Sequence, residues 1–110
     1  MNIAQIAKMA QQMQSQMAQA QEELKETTLD ATVGGGAVRV VITGAGEVRA
    51  IEIDPSAVDP AEVEMLQDLV LAAVNDAITR AKELERERMG RIAGGLGIPG
   101  MPGLPGLTSR

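Results

Sequence analysis

Cysteine, histidine, phenylalanine, tyrosine and tryptophan are all missing from this chain of 110 residues. Without cysteine there is no disulfide framework, no thiolate nucleophile and no thiolate metal site. Without histidine the usual neutral-pH general base and the commonest transition-metal ligand are gone, leaving carboxylates, lysines and a few hydroxyls as the only catalytic groups. The expectation is a protein that is not an enzyme and that needs no metal, cofactor or small-molecule substrate. Without aromatic rings there is no platform for stacking unpaired bases, so sequence-selective single-strand binding is not expected either.

Long apolar runs are lacking as well. No stretch approaches the ~20 residues of a membrane span, and the glutamine-rich start has neither the basic opening nor the apolar run of a signal peptide. A cytoplasmic protein with no membrane contact is expected. Hydrophobic residues make up 45% of the chain, all of them aliphatic or Met. The core they build is small, and burying further apolar area in a homodimer is the natural remedy for a domain of this size.

What is present reads as helix, three strands, helix and tail. Ile3, Ile6, Ala10, Met13, Met17, Ala20 and Leu24 recur with a three-then-four spacing, and seven glutamines fill the positions between them. That spacing predicts a long helix with one narrow apolar seam and almost no charge. After Lys25 the period changes to two, with Leu29, Ala31 and Val33 alternating against Thr28, Asp30 and Thr32. Gly34-Gly35-Gly36 ends this strand; a second runs from Val38 to Thr43, and a third from Glu47 to Ile53 after the turn Gly44-Ala45-Gly46. Connections this short allow only antiparallel hairpins, so the sheet is a three-stranded meander.

Asp59-Pro60-Ala61-Glu62 sets an N-cap, an N1 proline and an acidic N3 residue in helix-starting order. The apolar stripe that follows contains Val63, Leu66, Leu69, Val70, Ala73, Val74, Ala77 and Ile78, widened by Met65 and Leu71. It exceeds the ~100° of a one-sided surface helix. Two covering surfaces are therefore expected, the sheet and a partner subunit, with Leu66, Leu69, Val70, Ala73 and Val74 as the dimer interface. Beyond Ala81 the stripe narrows to Leu84 and Met89 and charges take over, so this half is expected to project into solvent. The fold class is α+β with the order α-β-β-β-α over residues 1–93. Residues 94–110, rich in Gly and Pro, form a tail whose three Gly-X-Pro triplets are too few for a triple helix and whose composition predicts disorder.

The formal net charge is −5, yet it is unevenly distributed. Residues 1–25 have two basic and two acidic side chains, residues 26–76 two and ten, and residues 77–110 six and three. A local field, not the average, decides what docks. The ordinary reading of Arg80, Lys82, Arg86, Arg88 and Arg91 is a solvated helix with Asp76–Arg80 and Glu87–Arg91 as i,i+4 pairs. Such pairs are worth only ~0.3 to 0.5 kcal/mol, so phosphate displaces the carboxylates cheaply. Arg39 and Arg49 fit cross-strand pairs with Glu47 or Glu52. The glycine clusters join strand to strand and lack both the dinucleotide fingerprint and the P-loop ending, so they are turns. Glu52, Asp54 and Asp59 are explained by a strand end followed by a cap.

Several segments together resemble the YbaB/EbfC family of bacterial nucleoid-associated proteins. They are Met9-Ala10-Gln11-Gln12-Met13-Gln14, Gly34-Gly35-Gly36-Ala37-Val38-Arg39-Val40, Ile53-Asp54-Pro55-Ser56, Glu64-Met65-Leu66-Gln67-Asp68-Leu69-Val70 and Ala72-Ala73-Val74-Asn75-Asp76-Ala77, with Met89 before the Gly/Pro tail. The resemblance spans nearly the whole chain in order. It implies a tweezer-like homodimer whose helical arms approach duplex DNA with low sequence selectivity, located at the nucleoid and serving chromosome organisation or gene regulation. Some members are encoded near recombination-repair proteins, which the resemblance therefore implies as candidate partners. Lys8, Arg80, Lys82, Arg86, Arg88 and Arg91 are the candidate DNA contacts, with Gln11, Gln12 and Gln16 as neutral donors. The alternative is a protein-interaction adaptor brought to the nucleoid by a repair or replication partner.

Overall fold

A computed structural model describes residues 2–95. The order is α1 (Ile3–Glu26), β1 (Thr28–Val33), β2 (Val38–Thr43), β3 (Val48–Ile53), two short 3-10 turns (Pro55–Ala57 and Pro60–Glu62) and α2 (Val63–Gly95). This is the predicted α-β-β-β-α arrangement, with the helix start at Asp59-Pro60 resolved into one 3-10 turn before α2 begins. The predicted disorder of residues 94–110 falls largely outside the described residues, although Gly94 and Gly95 still belong to α2.

The ends of α1 are fixed by its own sequence. Asn2 accepts from the Gln5 backbone N–H at 2.8 Å while the Gln5 side chain accepts from the Asn2 N–H at 3.2 Å, a reciprocal capping box. At the other end the Thr27 hydroxyl donates to the Glu23 carbonyl, and the Thr27 carbonyl accepts the Gly44 N–H at 2.9 Å. That last bond ties the end of α1 to the β2–β3 turn.

β2 is the central strand, antiparallel to both neighbours. Its alternation is strict: Val38, Val40 and Ile42 are fully buried beneath α2, whereas Arg39 and Val41 point to the other face. Ala73, Ala77 and Ala81 of α2 are the buried residues that meet this face. Their small side chains bring the helix close to the sheet, which limits how much apolar volume the core holds. Thr43 is the one buried polar residue among the described residues, and its hydroxyl accepts the Glu47 N–H at 3.1 Å.

α2 covers β1 and β2 but not β3. Ile53, Ile51 and Val48 pair with Val38, Val40 and Ile42 and so share their face, yet they remain 38%, 46% and 39% exposed. The far face of the sheet is polar, where Arg39 bridges Asp30 and Glu52, each at 3.0 Å. Both carboxylates hold the guanidinium pKa above its ordinary value, mainly through the hydrogen bond to Asp30.

Candidate nucleic-acid interface

Three elements meet at Gly44. A β-carbon built there would lie 2.7 Å from Leu24 Cδ2, 3.1 Å from the Leu24 carbonyl and 3.2 Å from Leu84 Cδ2. Only a residue without a side chain lets α1, the β2–β3 turn and the middle of α2 close on one another. From this junction the two helices leave the sheet side by side. Gln21 donates to Glu85 at 3.3 Å, and further out Gln16, Gln19, Ala20 and Glu23 line a shallow groove with Arg88, Arg91 and Ile92. Moving backwards along α1 means moving forwards along α2, so the pair is antiparallel. Together they form an arm, and the molecule measures 69 × 33 × 16 Å.

This corrects one expectation. The second half of α2 does not project into solvent by itself, because α1 runs along it and Ala81, Leu84 and Ile92 lie partly or wholly out of water. A narrow stripe on α2 suffices here because the seam it meets on α1 is equally narrow.

The arm places the predicted cationic residues in separate groups. Lys82 and Arg86, four residues apart on one face of α2, are exposed and make no ion pair among the described residues. Arg88 and Arg91 border the groove against α1. Arg80 lies nearer the sheet, beside Leu29 and Asp30. Both expected i,i+4 pairs are formed, Arg80 to Asp76 at 3.2 Å and Arg91 to Glu87 at 3.4 Å. Their carboxylates are 41% and 56% exposed, so both pairs are weak and open to competition by phosphate. Lys8 is exposed on α1, and helical spacing puts it on the side opposite the seam. Glutamines 16 and 19 join Arg88 and Arg91 along one groove, a grouping the sequence concealed because it depends on how the two helices are levelled at Gly44.

The strand arginines are engaged in the body. Arg39 holds Asp30 and Glu52, and Arg49 holds Glu47 at 3.0 Å. The segment from Ala50 to Thr79 has seven acidic residues and no basic one. Body and arm therefore differ in electrical character: the Ala50–Thr79 segment is wholly acidic, whereas the arm helices, Ile3–Glu26 and Lys82–Gly95, carry six basic and six acidic residues and present Lys82 and Arg86 exposed.

The residues predicted for a dimer interface also have definite places. Ala73 is fully buried against its own sheet, and Leu66, Leu69, Val70 and Val74 are partly buried on the same cluster. Leu69 reaches the β1–β2 turn, its Cδ2 standing 3.1 Å from where a Gly34 β-carbon would be. A second apolar row, Leu71, Val74 and Ile78, runs along α2 on the side away from β1. Leu71 is 60% exposed. This row and the uncovered residues of β3 leave one flank of the body apolar and open. No helix among the described residues is long and apolar enough to cross a membrane.

Comparison with known proteins gives a consistent result. A family model described as the YbaB/EbfC DNA-binding family matches residues 1–96. A nucleoid-associated protein of Acetivibrio thermocellus is 53% identical over 96 residues, covering 87% of this chain and 85% of that protein. A nucleoid-associated protein of Chloroflexus aurantiacus is also 53% identical over 96 residues, covering 87% and 96%. Among solved structures, an uncharacterized Helicobacter pylori protein superposes with a TM-score of 0.76 at 26% identity, covering 86% of this chain and 99% of that one.

Proposed function

From the premise that the chain belongs to the YbaB/EbfC DNA-binding family, we propose that it is a nucleoid-associated protein that binds duplex DNA as a homodimer with low sequence selectivity. The observation that carries this reading is the exposed Lys82–Arg86 face, which makes no ion pair among the described residues, on an arm held away from an acidic body. Lysine and arginine on one rigid helix address backbone phosphates, which look alike in every sequence. Arg80, Arg88, Arg91 and Lys8 add to the same field. Low selectivity follows from the scarcity of groups aimed to read base edges. Contribution to chromosome organisation or gene regulation is the corresponding role.

The homodimer has two sources of support. Among the described residues nine apolar ones are buried, five of them alanine, a small core for a domain this size. The open flank of Ile51, Ile53, Val48, Leu71 and Val74 supplies the area a second subunit would cover, extending the predicted stripe beyond the part occupied by its own sheet. Pairing also multiplies a modest number of phosphate contacts per subunit into useful avidity.

Gel shifts of unrelated duplexes at low salt, combined with sedimentation of the full chain, test both parts. Binding of each duplex by a dimer is expected, with at least tenfold loss for Arg86→Glu/Arg88→Glu in a protein that still sediments as a dimer. Unchanged DNA affinity in that variant would instead favour an adaptor recruited through a repair or replication partner. Absence of any shift by the unaltered protein would end the direct-binding reading.

A further inference from the structure

The row Ile3, Ile6, Ala10, Met13, Met17, Ala20 and Leu24 keeps coiled-coil spacing from end to end, but α2 covers only part of it. Leu24 and Ala20 are buried, Met13 is half-buried and Met17 is 43% exposed, whereas Ile6 is 53% and Ile3 85% exposed. Leu24 and Leu84 stand at one level, against Gly44. At equal rise along antiparallel helices, Gly95 is then level with Met13. Residues 3–12 thus reach ~15 Å past the end of α2. A lone helical segment of that length is marginal in water. Its seam is patterned to receive another helix.

We propose that this tip of α1 pairs with the α1 tip of a second copy of the chain carried on another dimer, so that arms link dimers bound to DNA. The inference rests on the DNA-binding homodimer proposed above. Charge singles out an identical partner. Between Ile3 and Gln21 the one charged residue is Lys8, on the side away from the seam. Charged flanks are what select a foreign helix and set like helices apart; here the flanks are glutamine and alanine, and two copies do not repel. Because Lys8 faces away from the seam, one tip meets phosphate and a second arm at the same time. The uncovered seam, Ile3, Ile6 and Ala10, spans about one and a half heptads, too short to pair firmly in dilute solution. Dimers held on the same or adjacent duplexes supply the effective concentration that it needs.

Ala10 is a seam position of the uncovered tip, so it faces its own counterpart when two tips pair parallel and in register. The chain has no cysteine, and Ala10→Cys therefore introduces a single thiol. With duplex DNA and mild oxidation, A10C is expected to give disulfides that join two dimers, while Ser15→Cys, on the far side of the helix, gives none. Ile6→Glu, at an exposed position, is expected to keep the helix content and the affinity for a short duplex within about twofold. In the A10C background the same change abolishes the cross-link, and alone it lowers the bridging of two labelled duplexes at least tenfold. Cross-links confined within one dimer, equal linking through S15C, or an A10C thiol shielded only by residues 96–110 of its own chain would each overturn the proposal. A monomer in sedimentation without DNA, or no shift of a short duplex, reports failure of the underlying reading before any thiol is oxidised, and the proposal falls with it.

Discussion

The two halves of α2 are built for different neighbours. Over Val63–Ala81 the helix lies on β1 and β2, its inner row reduced to alanine, and Arg80 is its one basic residue. Over Lys82–Gly95 it lies beside α1, contains four basic and three acidic residues and leaves Lys82 and Arg86 open to solvent. One continuous helix thus carries core-forming and ligand-facing duties in succession. Rigidity keeps the acidic start of α2 away: from Arg86 back to Asp68 is ~27 Å at 1.5 Å per residue, several times the ~8 Å over which charges act at physiological ionic strength, and the carboxylates near Arg86 are Glu83, Glu85 and Glu87 of the arm itself. An acidic total is therefore compatible with a local attraction for polyanions.

The sharpest way to break the comparison is through the body. Ile42→Ala empties a fully buried site in the central strand and is expected to cost about 2–5 kcal/mol in urea unfolding. Lys82→Ala on the arm stays within ~0.5 kcal/mol. Comparable losses would mean that the arm is part of the core.

Gly44→Ala probes the junction between the halves. The added methyl meets both the side chain and the backbone of Leu24, and an overpacking cost of about 1–3 kcal/mol is expected. Because the contact sets the level of α1 against α2, the variant also weakens DNA binding by its folded fraction. A neutral result would show that the arm is not positioned from this point.

Asp76→Ala removes the carboxylate that holds Arg80. It is expected to lower stability by only ~0.3–0.5 kcal/mol while tightening DNA binding slightly, since an anionic competitor for Arg80 is gone. Weaker binding would place Arg80 outside the DNA field.

The smallest effect concerns Asp54. Its carboxylate accepts the Ser56 N–H and hydroxyl, both at 3.0 Å, and these bonds hold its pKa below the ordinary aspartate value. A depressed carboxyl stabilises the fold above its unfolded pKa of ~3.9, and that contribution fades as pH falls through the lower folded value. Asp54→Asn is expected to flatten the acid limb of the stability curve slightly and leave DNA binding at neutral pH unchanged. Thermal melts across that limb check the first part.

Much of this architecture is legible in the chain. Val38–Thr43 could be bounded from its alternation and the glycines on either side, and Asp59-Pro60 marked the approach to α2. The Asp76–Arg80 and Glu87–Arg91 pairs followed from spacing alone, because i,i+4 contacts depend only on helix geometry. What spacing does not encode is level and neighbour. Nothing local says that Leu24 stops opposite Leu84, so the second half of α2 read as solvated when it is half of a two-helix arm. For the same reason the wide stripe on α2 could not be divided in advance between sheet and partner. Ala73 proves to be inside, and the open apolar residues include Ile51 and Ile53, whose alternation in β3 gave no sign that α2 would miss them.

The central claim is that the arm, not the body, attracts DNA. Its most direct test is the salt dependence of binding to one unrelated duplex over about 50–200 mM salt, comparing the unaltered protein with Lys82→Glu/Arg86→Glu and with Arg49→Glu in the body. The expected result is a shallower slope and at least tenfold weaker low-salt affinity for the arm variant, with Arg49→Glu close to the unaltered protein. An arm variant with unchanged slope and affinity, or a body variant affected as strongly, would contradict the account.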